Sequence, residues 1–373
     1  MKIIADQNIP YLKGIAEHYG NVTYLDGAAF TKDAIKDADT LIVRTVTRFD
    51  EKNLSTSNVK LICSATIGYD HIDTDYCDTH GIAWRNAPGS NSGSVQQYIV
   101  SSLITISRQK RFNLKDKTIG IVGVGNVGIK VAAACEILGM KVLLNDPPRQ
   151  KAENSNIFVS LEKIMEEADI ITFHTPLTKD GIDKTYHLAD TPFFNNLAKN
   201  PIIINSARGG IIDTIAIKNA IKEKKISGAI IDCWENEPQI DIEYMSLVDI
   251  ATPHIAGYSA DGKANATRMS LDSIAEFYNL DKSPISQVQA PAPLNPVIDM
   301  DNFDRTDNRI YDAILTTYNP ADDFKRLKAA PDTFKQLRNH YPLRRESLAY
   351  KTINASYEEQ IILDNFGFQK AFI

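Results

Sequence analysis

Residues 117–148 read KTIGIVGVGNVGIKVAAACEILGMKVLLNDPP, and this stretch decides the fold. An apolar run, Thr118 to Val122, enters Gly123-x-Gly125-x-x-Gly128. A helix-like segment follows to Leu138, and a second apolar run, Lys141 to Leu144, ends at Asp146. Strand, glycines, helix, strand and acid in this register make a dinucleotide-binding unit. The first glycine allows the tight turn, the second lets backbone approach a pyrophosphate, and the third lets helix pack on strand. Through Asn126 and Val127 the helix start offers N–H groups and a positive dipole end to phosphates. Asp146 stands where an acid takes a ribose 2′-hydroxyl, which favours NAD over NADP. Arg149 is the counter-signal, because its charge suits the extra phosphate of NADP.

Upstream, Lys2 to Pro88 alternates short apolar runs (KIIAD, VTYLD, TLIVRT, KLICSAT, GIAWRNA) with helix-like segments such as Ile9 to His18 and Ile72 to His80. That rhythm predicts a second parallel sheet. Its strand ends carry Asn8, Arg44, Thr45, Thr66 and Asn86. Thr45 and Thr66 are candidate substrate contacts, although each also reads as a helix cap or turn residue. Asn91 to Arg111, with Val95, Ile99, Leu103 and Ile106 at helical spacing, is expected to be a long helix joining the two sheets.

Downstream, four more strands end in polar clusters: His174 and Thr175 in HTPLT, Ser206, Ala207 and Arg208 in SARGG, Asp232 to Pro238 in DCWENEP, and His254 with Gly257 and Tyr258 in PHIAGY. An arginine, a carboxylate and an imidazole are the parts needed to bind a small carboxylic acid and move a proton on it. From the residues alone Asp232, Glu235 and Glu237 compete to be that carboxylate. His174 reads as a hydrogen-bonding wall residue, and His71 as a cap or surface group. His187 has no partner motif. Ser259 to Leu280 is helix-like and is expected to return to the first domain.

The proline-rich stretch Pro284 to Pro296 reads as a linker. Beyond it lie helical patterns around Ile310 to Leu315 and Asp332 to His340, then a final apolar run to Ile373. The net charge of −6 gives no general attraction for nucleic acid or anionic membrane. The N-terminus turns polar too soon for a signal peptide, and no apolar run is long enough to span a bilayer, so a cytoplasmic protein is expected. Cys63, Cys77, Cys135 and Cys233 form no C-x-x-C pair and read as reduced structural thiols, with no metal site.

With GVGNVG, HTPLT, NSARGG, Glu237-Pro238 and PHIAG in this order, the chain resembles the D-2-hydroxyacid dehydrogenases. The resemblance implies an α/β protein with two Rossmann-like or flavodoxin-like parallel-sheet domains and a cleft between them. It implies NAD as cofactor. It gives His254 the role of proton donor and acceptor, Arg208 that of carboxylate clamp, and Glu237 that of the histidine's partner. Gly123, Gly125, Asn126, Val127, Gly128, Asp146, Thr175, Ser206, Ala207, Arg208, Asp232 and Gly257 fall on cofactor positions, and Thr45, Thr66 and Tyr258 on substrate positions. Within the family, the strings FHTPLTKDG, HLAD and RLKAAPDTFKQLRNHYPLRRE carry a closer likeness. This implies a phosphorylated 2-hydroxy acid as substrate and a small C-terminal α+β domain that makes a homodimer. The expected domains are residues 1–92, completed by 259–283, for substrate; 93–258 for NAD; and 284–373 for dimerisation.

Arg44 is the nearest candidate for a substrate phosphate. Arg344 and Arg345 are expected to serve surface or interface salt bridges instead. Two rival readings stand at this point. One is a dehydrogenase of 3-phosphoglycerate, glycerate or lactate, and the other is an NAD-sensing corepressor, which can share the same Arg, Glu and His.

Overall fold

The computed structural model describes residues 1–305 and 308–371, and the chain divides into two compact units. The last two residues of the final apolar run, 372–373, lie outside the described residues.

The first unit comprises Met1–Asn91 and Ser259–Ala292. Its strands are β1 (Lys2–Asp6), β2 (Asn21–Leu25), β3 (Thr40–Val43), β4 (Leu61–Ser64) and β5 (Ala83–Arg85), all parallel in the order β2-β1-β3-β4-β5. Ile3, Ala5, Ile42, Leu61 and Cys63 face one core, and Ile4, Leu41, Val43 and Ile62 face another. Burial on both faces explains why these strands read as unbroken apolar runs rather than alternating ones. The helix Ala260–Tyr278 lays Ala264, Leu271, Ile274 and Ala275 on the first of these cores. The helix expected over Ile9 to His18 is only a single 3-10 turn, Ala16–His18. Pro10, and positive φ at Tyr11 and Gly14, keep the segment from winding further.

The second unit comprises Ser92–Tyr258 and Pro293–Ile373. Its large sheet holds β6 (Thr118–Val122), β7 (Lys141–Asn145), β8 (Ile170–Phe173), β9 (Ile202–Asn205), β10 (Gly228–Ile231) and β11 (Ile250–Ala251), again all parallel, in the order β11-β10-β9-β8-β6-β7. A parallel bridge from Leu144 to Phe158 adds a rudimentary strand beside β7. With it the order becomes that of a dinucleotide-binding sheet, reversing direction beside β6. One face packs on the helix Ser92–Lys110 through Val95, Tyr98, Ile99 and Leu103.

The C-terminal stretch shares these cores. Ile298, Met300, Ile314, Tyr318, Leu363 and Phe368 join the face covered by that helix, while Leu327 and Phe334 join the opposite face. The stretch carries its own parallel sheet, β12 (Val297–Asp299), β13 (Lys351–Ile353) and β14 (Gln369–Lys370). The helix Tyr357–Asn365 is closed at its start by a Ser356/Glu359 capping box.

Candidate active site

Every polar cluster named from the sequence of the second unit sits at the carboxyl end of a parallel strand, where such sheets bind ligands. The turn after β6 shows why three glycines are needed. Gly123 has φ +91, and a Cβ there would lie 2.7 Å from backbone atoms of His174 and Thr175. A Cβ on Gly128 would run into the carbonyl oxygen of Gly123, whereas one on Gly125 would meet nothing. The open space at Gly125 is therefore room for a ligand rather than for packing.

Asp146 accepts hydrogen bonds from the N–H of Val124 (2.8 Å) and of Arg149 (3.1 Å), fixing the turn and capping the helix Pro147–Glu153. Arg149 is neutralised by Glu153, to which its Nε donates at 2.6 Å, and it also donates to the Val124 carbonyl. The cation that argued for NADP is thus already paired. Thr175 Oγ1 and Ser206 Oγ are buried hydroxyls with no hydrogen-bond partner among the described residues. Buried polar groups normally have partners, so these two, with the Gly125 space and the helix start, fit NAD. His174 shares a hydrogen bond with Thr172 (Nε2 to Oγ1, 3.0 Å). Its edge keeps some surface, but burial of the ring pushes its pKa down to about 3, so it is neutral.

The loop after β9 is tied to itself. Asn205 Nδ2 donates to the Arg208 carbonyl (2.9 Å), and Asn205 Oδ1 accepts from Ala207 N–H (3.1 Å). A Cβ at Gly209 would collide with the Trp234 carbonyl, so only glycine lets these two loops meet. Arg208 Nη1 donates to the Ala207 carbonyl at 2.8 Å.

Glu237 precedes proline in a cis peptide bond. One carboxylate oxygen accepts from Trp234 N–H (2.8 Å), and the other lies 2.7 Å from His254 Nδ1. Burial pushes this carboxyl up, but the hydrogen bond and charge of His254, with the Trp234 N–H and Arg338, hold it below the ordinary carboxylate value. An ionised Glu237 makes Nδ1 the protonated nitrogen and leaves Nε2 as the acceptor. Cys233 brings its Sγ to within 4.8 Å of ligand atoms of Glu237 and His254, but burial keeps the thiol protonated.

His254 itself has φ +55, a left-handed conformation uncommon outside glycine, and its surroundings hold it there. Two clamps do so. Fully buried Asp232 accepts from Ile255 N–H (2.8 Å), Ala256 N–H (2.9 Å) and the Thr252 hydroxyl (2.6 Å). From the other side Arg344 donates to the carbonyls of Ile255 (3.3 Å), Ala256 (3.2 Å) and Ser94, and its Nε donates to Gln97 Oε1. Arg344, expected at a surface or interface, is 5% exposed and stacks on Tyr318.

Glu235 has a different job. It accepts from Thr214 N–H (3.0 Å) and pairs with His187 Nε2 (2.8 Å), which gives His187 the partner its sequence context does not show. Sequence reasoning missed Arg338. It lies on the short helix Phe334–Asn339, donates to the Tyr258 hydroxyl at 3.1 Å, and sits 4.0 Å from Glu237. Only its place in a string specific to the close relatives hinted at a role.

In the first unit, Arg44 is held two-pronged by buried Asp6 at 3.0 and 3.2 Å. Thr66 Oγ1 donates to the Gly68 carbonyl (2.9 Å) and is 2.6 Å from Ser64 Oγ, while Thr45 is exposed. His71, expected to be a cap or surface group, is buried with Nε2 3.2 Å from Ser64 Oγ.

Residues 93–256 match the family model described as D-isomer specific 2-hydroxyacid dehydrogenase, NAD binding domain. An erythronate-4-phosphate dehydrogenase of Bacteroides thetaiotaomicron is 52% identical over 95% of this chain and 99% of its own length. The protein of that name from Porphyromonas gingivalis is 44% identical over 99% of this chain and 100% of its own. Among solved structures, NAD-bound 3-phosphoglycerate dehydrogenase of Entamoeba histolytica is similar with a TM-score of 0.63 at 28% identity, covering 75% of this chain and 96% of that one. A quarter of this chain therefore lies outside the part shared with that enzyme, and the first two relatives share nearly all of it.

Proposed function

We propose one reaction for this chain, which belongs to the D-isomer specific 2-hydroxyacid dehydrogenase family: the NAD-dependent oxidation of 4-phospho-D-erythronate to (R)-3-hydroxy-2-oxo-4-phosphooxybutanoate, on the route to pyridoxal 5′-phosphate. The observation that carries it is the 2.7 Å contact between His254 and Glu237, at the carboxyl ends of the strands and in a chain so close to enzymes of this name.

Bound NAD supplies the acceptor for the hydride that leaves C2. The residues do the rest. His254 Nε2 takes the proton of the C2 hydroxyl as the carbonyl forms. Glu237 holds the ring and stabilises the imidazolium. The planar fork of Arg208 takes both oxygens of the substrate carboxylate, which a lysine would not do. Gly123, Gly125, Asn126, Val127, Gly128, Asp146, Thr175, Ser206, Ala207, Arg208, Asp232 and Gly257 are assigned to the cofactor. Thr45, Thr66, Arg44 and Tyr258 are assigned to the substrate.

The reading extends to a cytoplasmic homodimer formed through residues 284–373. Leu294, Val297, Leu343, Leu348, Tyr357 and Ile361 are large apolar side chains exposed on that segment, which supports a protein partner there.

The test is NADH formation when the protein meets NAD and each of 4-phosphoerythronate, 3-phosphoglycerate, glycerate and lactate. A higher kcat/KM on any of the last three would overturn the assignment.

A further inference from the structure

The tail places a cation beside the proton-transfer pair without giving it a full set of partners. The Arg338 guanidinium lies over the Tyr258 ring at 5.5 Å and donates through Nη2 to the Tyr258 hydroxyl. Its Nη1 is 4.0 Å from Glu237, too far for a hydrogen bond. Its Nε is buried with no hydrogen-bond partner among the described residues. A guanidinium carries five N–H donors, and a buried donor left unmade costs free energy.

Arg338 acts on Glu237 only as a distant charge, the smallest of the influences that hold that carboxyl low. The two carboxylate oxygens already accept from His254 and from Trp234 N–H. Arg338 is not an ordinary surface residue, since its side chain is 30% exposed and anchored on Tyr258. The charges of Arg208 and Arg338 both bear on Cys233, so two guanidiniums attend one neighbourhood. A substrate with a carboxylate at one end and a phosphate at the other needs two such groups, because an arginine fork matches either anion.

We propose that Arg338, held by Tyr258, binds the phosphate end of the substrate, so that the preference for a phosphorylated acid is carried by the C-terminal tail. This rests on the reading that the substrate is 4-phosphoerythronate. In that role the guanidinium also screens the phosphate from Glu237.

The experiment compares 4-phosphoerythronate with unphosphorylated erythronate on the full-length protein, for wild type, Arg338→Met and Arg338→Lys. Methionine keeps an apolar stem over Tyr258, and an unchanged affinity for NADH reports an intact fold. Arg338→Met should raise KM for the phosphorylated acid by about 10- to 100-fold, the worth of a hydrogen bond to a charged group. kcat/KM on erythronate should fall far less, since only the distant charge on Glu237 and the anchoring of Tyr258 are lost there, so the preference for phosphate drops. Arg338→Lys should recover part of it, since the charge remains and the fork does not. An equal loss on both acids would overturn the proposal and leave Arg338 acting through Glu237. No loss on either would overturn it as well. A wild type inactive on 4-phosphoerythronate would instead overturn the substrate reading, and this inference with it, before any variant is compared.

Discussion

Glu237 Oε2 lies 2.7 Å from Nδ1 of His254, and the two residues come from the ends of adjacent strands, β10 and β11. In the proposed reaction, removing the imidazole removes the proton acceptor. His254→Asn should lower kcat by about 10²- to 10⁴-fold, the range for general-base catalysis. Glu237→Gln keeps a hydrogen-bonding side chain but loses the charge, and its loss should be smaller, on the order of 10- to 100-fold. NADH binding should survive both changes, as read by fluorescence titration. A His254→Asn enzyme with near-normal kcat would remove it from the mechanism.

The glycines separate fold from cofactor. Gly125→Ala meets no protein atom, so the melting temperature should hold while NAD binding weakens on the order of tenfold or more. Gly128→Ala drives a methyl into the Gly123 carbonyl and should cost about 1–3 kcal/mol of stability. Equal effects of the two on stability would contradict this division.

His174 predicts acid lability. Burial lowers its pKa from 6.5 to about 3 in the folded chain. The unfolded chain therefore binds a proton below pH 6.5 that the folded chain refuses until near pH 3. Stability from this group is complete above 6.5 and falls as pH drops through that window, by at most about 1.4 kcal/mol per pH unit. Urea unfolding of wild type and His174→Asn at descending pH should show a shallower loss in the variant.

Arg344 should matter to both fold and chemistry. Arg344→Met leaves the Ile255 and Ala256 carbonyls without their donor and frees one side of the strained His254 loop. We expect a stability loss of about 3 kcal/mol or more, and a fall in kcat that exceeds any rise in KM for NAD. A variant with wild-type unfolding and wild-type kcat would show that the clamp is dispensable.

Sedimentation of the intact chain should give twice the monomer mass. Replacing Leu294 and Leu348 by glutamate should return it toward monomer, because both are large, exposed apolar groups on the tail. A wild-type monomer at micromolar concentration would reject the homodimer.

Much of this was legible in the chain because it is written in short-range pattern. The glycine turn, the acid after β7, and the unbroken apolar strands each depend on neighbours within a few residues. The histidine at the end of β11 could be seen for the same reason. What sequence pattern could not choose was which of Asp232, Glu235 and Glu237 serves His254. The choice is three-dimensional: Asp232 is consumed by the N–H groups of its neighbouring loop, and Glu235 by His187 and Thr214. Arg338 and Arg344 were hidden for a stronger version of that reason. Their partners lie about 80 to 250 residues away in sequence, and a charged, helix-forming segment gives no sign of where it will dock. Arg44, the nearest phosphate candidate in the sequence, shows the converse, since its ion pair with Asp6 could not be read from the chain.

The sharing of one core by the ends of the second unit bears on how the protein comes into being. Synthesis runs from the N-terminus, and domains usually fold in that order as they emerge. Here β6 to β11 leave the ribosome well before Ile314, Leu363 and Phe368, which cover one of their faces. Arg344, which steadies the turn bearing His254, is made well after that turn. A nascent chain that ends at β11 would hold the whole dinucleotide motif with that apolar face uncovered and the His254 turn unclamped.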